Sequence, residues 1–450
     1  MASINPQVDH AKYLSSLAAF QGGRLTGKVR QVVGLVMEVS GIRSFIGEIC
    51  LVKSGEGTDV AAEVVGFREK CSLLMPLGEL KGISPGCPVL PTGKSFRLRV
   101  GERLLGKVLT GLGSLLDSGR PALAPGEGTE CAVDNRPPNP LERRPISAPL
   151  FTGVKAVDAL LTCGEGQRVG IFSGSGVGKS TLLGMIARYS EADVNVIALI
   201  GERGREVGDF IHRELGEAGL RRSVVVVSTS DRPALERVTG ALVAVTIAEY
   251  FRDQGKRVIL MMDSVTRLCM AQREIGLAVG EPPSAKGYTP SVFALLSRFL
   301  ERSGTARRGS ITGFYNVLVD GDDFTEPVTD AVRSILDGHI VLSRKLASQN
   351  QFPAVDILRS NSRLMPHLVD SGHGTAASEM RKLISTYEEM EDLINIGAYA
   401  AGSQAAVDRA VRQRPAILDF LRQEPGQHFS GEQTLALLQQ VAAGKLDVES

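Results

Sequence analysis

In the stretch Ser173-Gly-Ser-Gly-Val-Gly-Lys-Ser-Thr181, Gly174, Gly176 and Gly178 precede a lysine and two hydroxyl residues. Glycines admit backbone conformations closed to residues with a Cβ, so successive N–H groups from Gly174 through Ser175, Gly176, Val177 and Gly178 can turn inward on phosphate oxygens. A helix opening at Lys179 to Thr181 would add the partial positive charge of its N-terminus. In such a loop Lys179 reaches the β- and γ-phosphates of a nucleotide and the Ser180 hydroxyl ligates Mg²⁺. The strict pattern has glycine at the first position, where this chain has Ser173.

Two further acids stand at the ends of apolar runs. Arg257-Val-Ile-Leu-Met-Met-Asp263 ends in Asp263, which fits the acid that holds the metal of a bound nucleotide, although an aspartate after a strand is by itself usually a helix cap. The run Val196 to Ile200 leads into Gly201-Glu-Arg-Gly-Arg-Glu206. Glu202 there is suited to polarising an attacking water and Arg203 to neutralising phosphate charge, against the default of a solvated carboxylate.

These groups need a scaffold. From Val29 to about Lys94 short β-rich runs (Val32 to Val39, Glu48 to Val52, Val60 to Phe67, Cys71 to Leu77) are broken by glycine turns, the rhythm of a small β-barrel. A Pro- and Gly-rich linker follows. Beyond it, unbroken apolar runs (Val169 to Phe172, Val194 to Ile200, Val224 to Val227, Val258 to Met262, Ile311 to Val319, Ile340 to Leu342) alternate with helical stretches. Such runs are strands buried on both faces, so the expected fold class is α/β, with a largely parallel sheet whose ligand sits at the carboxyl ends of the strands. After about Val369 the strands stop, and Met380, Leu383, Ile384, Tyr387, Met390, Leu393 and Ile394 trace one apolar helix face.

Composition excludes other classes. With 43% hydrophobic and 22% charged residues among 450 the chain is globular, and 51 basic against 50 acidic residues give no global field to attract nucleic acid or an anionic membrane. No apolar run approaches the roughly 18 to 20 residues of a membrane span, and Met1 to Gly23 does not read as a secretory signal. The six cysteines form no CxxC or zinc pattern and are expected as free buried thiols of a reducing cytoplasm.

The segments Gly174 to Ser180, Gly201-Glu-Arg203, Asp263-Ser-Val-Thr-Arg267 and Pro353-Ala-Val-Asp-Ile-Leu-Arg-Ser-Asn-Ser362 together resemble the rotary ATP synthase α/β subunits and their secretion relatives. Asn139-Pro-Leu141, Gly201-Glu-Arg-Gly-Arg-Glu-Val207, Gly321-Asp-Asp323 and Arg333-Ser-Ile-Leu-Asp-Gly-His-Ile-Val-Leu-Ser-Arg344 are most similar to the flagellar and type III secretion export ATPases. The resemblance implies a partner-docking segment (1–21), a β-barrel (22–95), a RecA-like P-loop ATPase domain (96–370) and a helical domain (371–450). It implies ATP and Mg²⁺ as cofactors, Glu202 as catalytic carboxylate, Phe352 as the aromatic packing on adenine, and Arg363 as an arginine finger offered to a neighbouring subunit.

The expected activity is Mg²⁺-dependent ATP hydrolysis by a homohexamer, coupled to protein export through a flagellar-type apparatus. Expected partners are a stalk-like regulator at the N-terminus, a central stalk protein, an export gate at the membrane and chaperone–substrate complexes, with no nucleic acid. The expected place is cytoplasmic, peripheral to the inner membrane. Ile396-Gly-Ala-Tyr-Ala-Ala-Gly-Ser403 looks more like the flagellar branch than the virulence injectisome. A catalytic subunit of a rotary ATP synthase or V-type ATPase is a further alternative. A hexameric RNA translocase is disfavoured for want of a basic, aromatic-rich N-terminal domain.

Overall fold

The computed structural model describes residues 26–445 except 56, 58 and 320–322. The expected docking segment 1–21, and Gly321 and Asp322 of the Gly-Asp-Asp run, lie outside the described residues. The chain forms two compact units, the first ending at Phe96 and the second starting at Arg97.

In the first unit β1 (Gly27–Val33), β2 (Val36–Ser40), β3 (Glu48–Lys53), β4 (Asp59–Arg68), β5 (Cys71–Pro76) and β6 (Pro88–Ser95) close into a barrel of order β1-β2-β5-β4-β3-β6. Alternate residues point inward, and Val29, Met37, Val39, Cys50, Val52, Ala62, Val64, Leu74 and Val89 fill the interior. The run Val32 to Val39, read from sequence as one strand, is a hairpin. Gly34 takes φ +59°, which reverses the chain in two residues and pairs Val33 with Val36.

The second unit is built on β7 (Val108–Thr110), β8 (Arg168–Ser173), β9 (Val194–Ile200), β10 (Ser223–Ser228), β11 (Arg257–Asp263), β12 (Ser310–Leu318), β13 (Gly338–Leu342) and β14 (Val355–Ser362). They hydrogen-bond in the order β14-β13-β8-β12-β11-β9-β10-β7, and every neighbouring pair except β13 with β14 is parallel. Every residue of β9 and β10 is buried, as continuous Val/Ile/Leu runs require when helices cover both faces. The helices relevant here are α1 (Lys155–Leu160), α2 (Lys179–Tyr189), α3 (Val265–Val279), α4 (Ser371–Asn395), α5 (Ala405–Leu421) and α6 (Gly431–Ala442).

The order of the central strands carries the sheet's function. Their carboxyl ends bring together the loops after β8, β12, β11 and β9. Because β14 runs antiparallel, Phe352 just before it lies at that same edge, while Arg363 just after it lies at the opposite one.

The helices after Asp370 share one hydrophobic core with the sheet: Met380, Leu383, Ala410, Phe420 and Leu438 pack with Val157, Ile186 and Ile357. The apolar face read along α4 is buried only as far as Ile384, with Tyr387 half-buried against the core. Past it Leu393 is 43% and Ile396 75% exposed, because the helix outruns the body it packs on. Five cysteines are buried as expected, and Cys131 is half-buried. Among the described residues no helix is long and apolar enough to cross a membrane.

Candidate active site

β8 delivers the phosphate loop and α2 leaves it. Gly176 and Gly178 take φ +77° and +84°, left-handed conformations that bend the backbone around the loop, and Gly178 caps α2. Lys179, Ser180 and Thr181 form the first turn of α2, and Thr181 Oγ1 donates to Glu214 Oε1 at 2.9 Å. Ser173, the departure from the strict motif, is buried with its Oγ 3.4 Å from Asn316 Oδ1.

The register of β11 with β12 sets Met262 opposite Tyr315, so Asp263 and Asn316 emerge side by side. Asn316 Nδ2 donates to Asp263 Oδ1 at 2.7 Å, and Lys179 Nζ donates to the same oxygen at 2.8 Å. Burial pulls the Lys179 pKa down, but Asp263 and then Glu202 outweigh it, and the net shift is upward. The ammonium is therefore held charged.

At the end of β9, Gly201 turns at φ +72° and the stem of Arg267 on α3 packs against it, so a Cβ there would fall 2.7 Å from the Arg267 Cβ. This turn aims Glu202 inward, where it is 8% exposed with Oε1 4.0 Å from Lys179 Nζ. Burial first, and Asp263 second, push its pKa up to about 7 despite the lysine. Glu202 Oε1 is buried and has no hydrogen-bond partner, a costly state that a water or ligand proton donor relieves.

The residues fit a phosphate-borne Mg²⁺. Ser180 and Asp263 flank Lys179, whereas among the described residues no group of three His, Cys, Asp or Glu side chains is arranged to hold a metal without other ligands. A small hard cation here needs phosphate and water oxygens to complete its shell.

Beside the loop lies a cavity of about 540 Å³ lined by Gly178, Thr181, Leu182, Met185, Phe352 and Pro353 and closed by Arg422 to Pro425. The Phe352 ring lies 3.2 Å from where a Gly178 Cβ would stand, and the residue is 39% exposed. The volume and mixed lining suit a nucleobase.

Two expected residues are not in this cluster. The Arg203 side chain is 80% exposed and pairs with Glu206 at 3.9 Å. Arg363 is exposed at the amino edge of the sheet, with Nη2 donating to Arg333 O at 3.4 Å.

Three other residues join the cluster. Asn316 holds Asp263, Arg267 buries an unpartnered Nε, and the Arg344 guanidinium lies within about 3 Å of a Cβ built on Gly174. A polar Asn316 inside an apolar strand run was the sequence signal for the first.

Residues 153–362 match the ATP synthase alpha/beta family nucleotide-binding domain, residues 29–93 that family's β-barrel domain, and residues 369–440 the type III secretion EscN ATPase C-terminal domain. The chain is 54% identical over 414 residues to the flagellum-specific ATP synthase of Bacillus subtilis, covering 92% of this chain and 94% of that one. It is 50% identical over 426 residues to the type 3 secretion system ATPase of Xanthomonas euvesicatoria, covering 94% and 96%. The structure of the assembled ATPase EscN from the enteropathogenic E. coli type III secretion system superimposes with TM-score 0.87 at 47% identity, over 92% of this chain and all of that one. EscN in complex with its central stalk EscO gives 0.85 at 46%, with the same coverage.

Proposed function

The chain belongs to the ATP synthase alpha/beta family, among its flagellar and type III secretion ATPases, and we propose that it hydrolyses ATP at the Lys179–Glu202–Asp263 cluster of a homohexameric ring. The loop amides and Lys179 bind the β- and γ-phosphates. Glu202 Oε1 accepts the proton of the attacking water. Ser180 and Asp263 hold Mg²⁺, which when bound neutralises charge on the phosphates. Phe352 packs on adenine. Arg363 completes the site of the adjacent subunit.

The observation that carries this reading is the buried, unpartnered Glu202 oxygen 4.0 Å from the phosphate-loop lysine. Its pKa of about 7 suits a general base at neutral pH. Glu202→Gln keeps the shape and removes the base. Turnover is expected to fall at least ~10²-fold with Mg-ATP binding retained. Turnover within a few fold of the parent would pass the role to another acid, Glu206 first.

The ATPase serves type III export, in which we assign it to the flagellar apparatus on the run Ile396 to Ser403. A rotary synthase subunit would need a non-identical partner to supply the finger, whereas this chain carries both Glu202 and Arg363. The exposed apolar tip at Leu393 and Ile396 supports contact with a central stalk. Chaperone–substrate complexes, the export gate, the N-terminal regulator and a cytoplasmic place against the inner membrane complete the proposed setting.

A further inference from the structure

The wall that closes the base cavity is a short segment, Arg422 to Pro425, between α5 and α6. Within it Gln423 is 4% exposed and makes four hydrogen bonds. Its N–H donates to Phe352 O at 2.9 Å. Its Oε1 accepts from Lys155 N at 2.9 Å, and its Nε2 donates to Gly153 O at 2.8 Å and to Gln427 O at 3.0 Å. One residue thus ties three things together: its side chain fastens the cavity wall to the entry of α1, and its backbone N–H, set in place by those side-chain bonds, holds the peptide that bears the base-packing ring. The anchor is firm. Asp158 of α1 accepts from Thr152 N and Gly153 N at 2.7 and 2.8 Å, and α1 is buried throughout.

A glutamine is suited to this because one amide plane offers an acceptor and two donors at once. Its neighbours in the wall bond locally, Arg422 N–H donating to Leu418 O at 3.0 Å and Glu424 N–H to Gln427 Oε1 at 3.2 Å. The chemistry of phosphoryl transfer lies at the other end of the nucleotide, so Gln423 touches no reacting atom.

We propose that Gln423 is a positioning residue for the nucleotide base: it holds the 422–425 wall and Phe352 at the spacing the base requires. The proposal rests on the reading of Phe352 as the base-packing aromatic. An affinity for the base that depends on Gln423 should be absent for a ligand without a base. This separates positioning from general loosening of the fold, since a buried network that loses one member leaves the others unpaired and costs stability everywhere nearby.

The test uses full-length protein and three variants, Gln423→Glu, Gln423→Ala and Phe352→Ala. Calorimetric Kd values are measured for Mg-ATP and for Mg-pyrophosphate, which reaches the phosphate loop but has no base, together with kcat and KM. Gln423→Glu keeps the acceptor for Lys155 N but sets a carboxylate oxygen against Gly153 O and Gln427 O, Gln423→Ala removes all three side-chain bonds, and circular dichroism checks that each variant is folded. The expected result is a Kd and KM for ATP raised about tenfold, which corresponds to about 1.4 kcal/mol, with kcat within about threefold and the pyrophosphate Kd unchanged.

Equal weakening of ATP and pyrophosphate, or no change in ATP affinity in either Gln423 variant, overturns the proposal. If Phe352→Ala leaves ATP affinity unchanged, the base cavity itself is misassigned. If Phe352→Ala weakens ATP and the Gln423 variants do not, only the role of Gln423 falls.

Discussion

At the scale of single residues, the site depends on two charges kept in unequal states. Lys179 is held charged by Asp263, while burial makes Glu202 reluctant to ionise until about pH 7. A base must be deprotonated to act, so kcat/KM should fall about tenfold per unit as pH drops below about 7 and level off above it. A profile between about pH 5.5 and 8.5 reads this directly. An acid limb near ~4.3, the ordinary glutamate value, would show that Glu202 is not the titrating base. The meeting of Lys179, Asp263 and Glu202 was legible in the sequence, because loop glycines and strand-end acids leave fixed local signatures. Arg267 and Arg344 were not, and Asn316 showed only as a polar residue within an apolar strand run. Their roles come from strand register and from contacts across long stretches of chain, which local spacing does not encode.

At the scale of elements, the strand ends do the aiming, and the turn after β9 is the most constrained. Gly201 combines φ +72° with the Arg267 stem packed where a Cβ would go. Gly201→Ala should therefore destabilise the fold by about 1 to 3 kcal/mol and lower turnover with it, since Glu202 is the next residue. Denaturant unfolding measures the first effect, and an unchanged midpoint would mean that the turn tolerates a side chain. The parallel strands were readable because double-sided burial demands unbroken apolar runs. The barrel hairpin at Gly34 and the edge strands β7 and β14 were not: a two-residue turn interrupts no apolar run, and an edge strand buried on alternate residues has too weak a pattern. The apolar face of α4 was read correctly as a face, yet hydrophobic spacing does not say how much of it a neighbour covers.

At the scale of the whole molecule, the proposed shared site divides between two edges of the sheet. Val355 pairs with Leu342, Ser362 with Gly338, and the Arg363 N–H donates to Asp337 O, so Arg363 stands roughly 16 Å along β13 from the edge that bears the phosphate loop. It does not complete its own site. In the proposed ring it would instead reach a neighbour's site, where such a finger contributes roughly 10³ to 10⁵ in rate. The most direct measurement mixes two inactive chains, Lys179→Ala and Arg363→Ala, under conditions where rings exchange subunits and where wild-type rings diluted with either variant keep part of their activity. Some interfaces then join an intact Lys179 to an intact Arg363 from the next subunit, and ATP hydrolysis is predicted to return. If mixed rings form and hydrolysis stays at the level of the separate variants, Arg363 does not act across the interface and the shared site is contradicted.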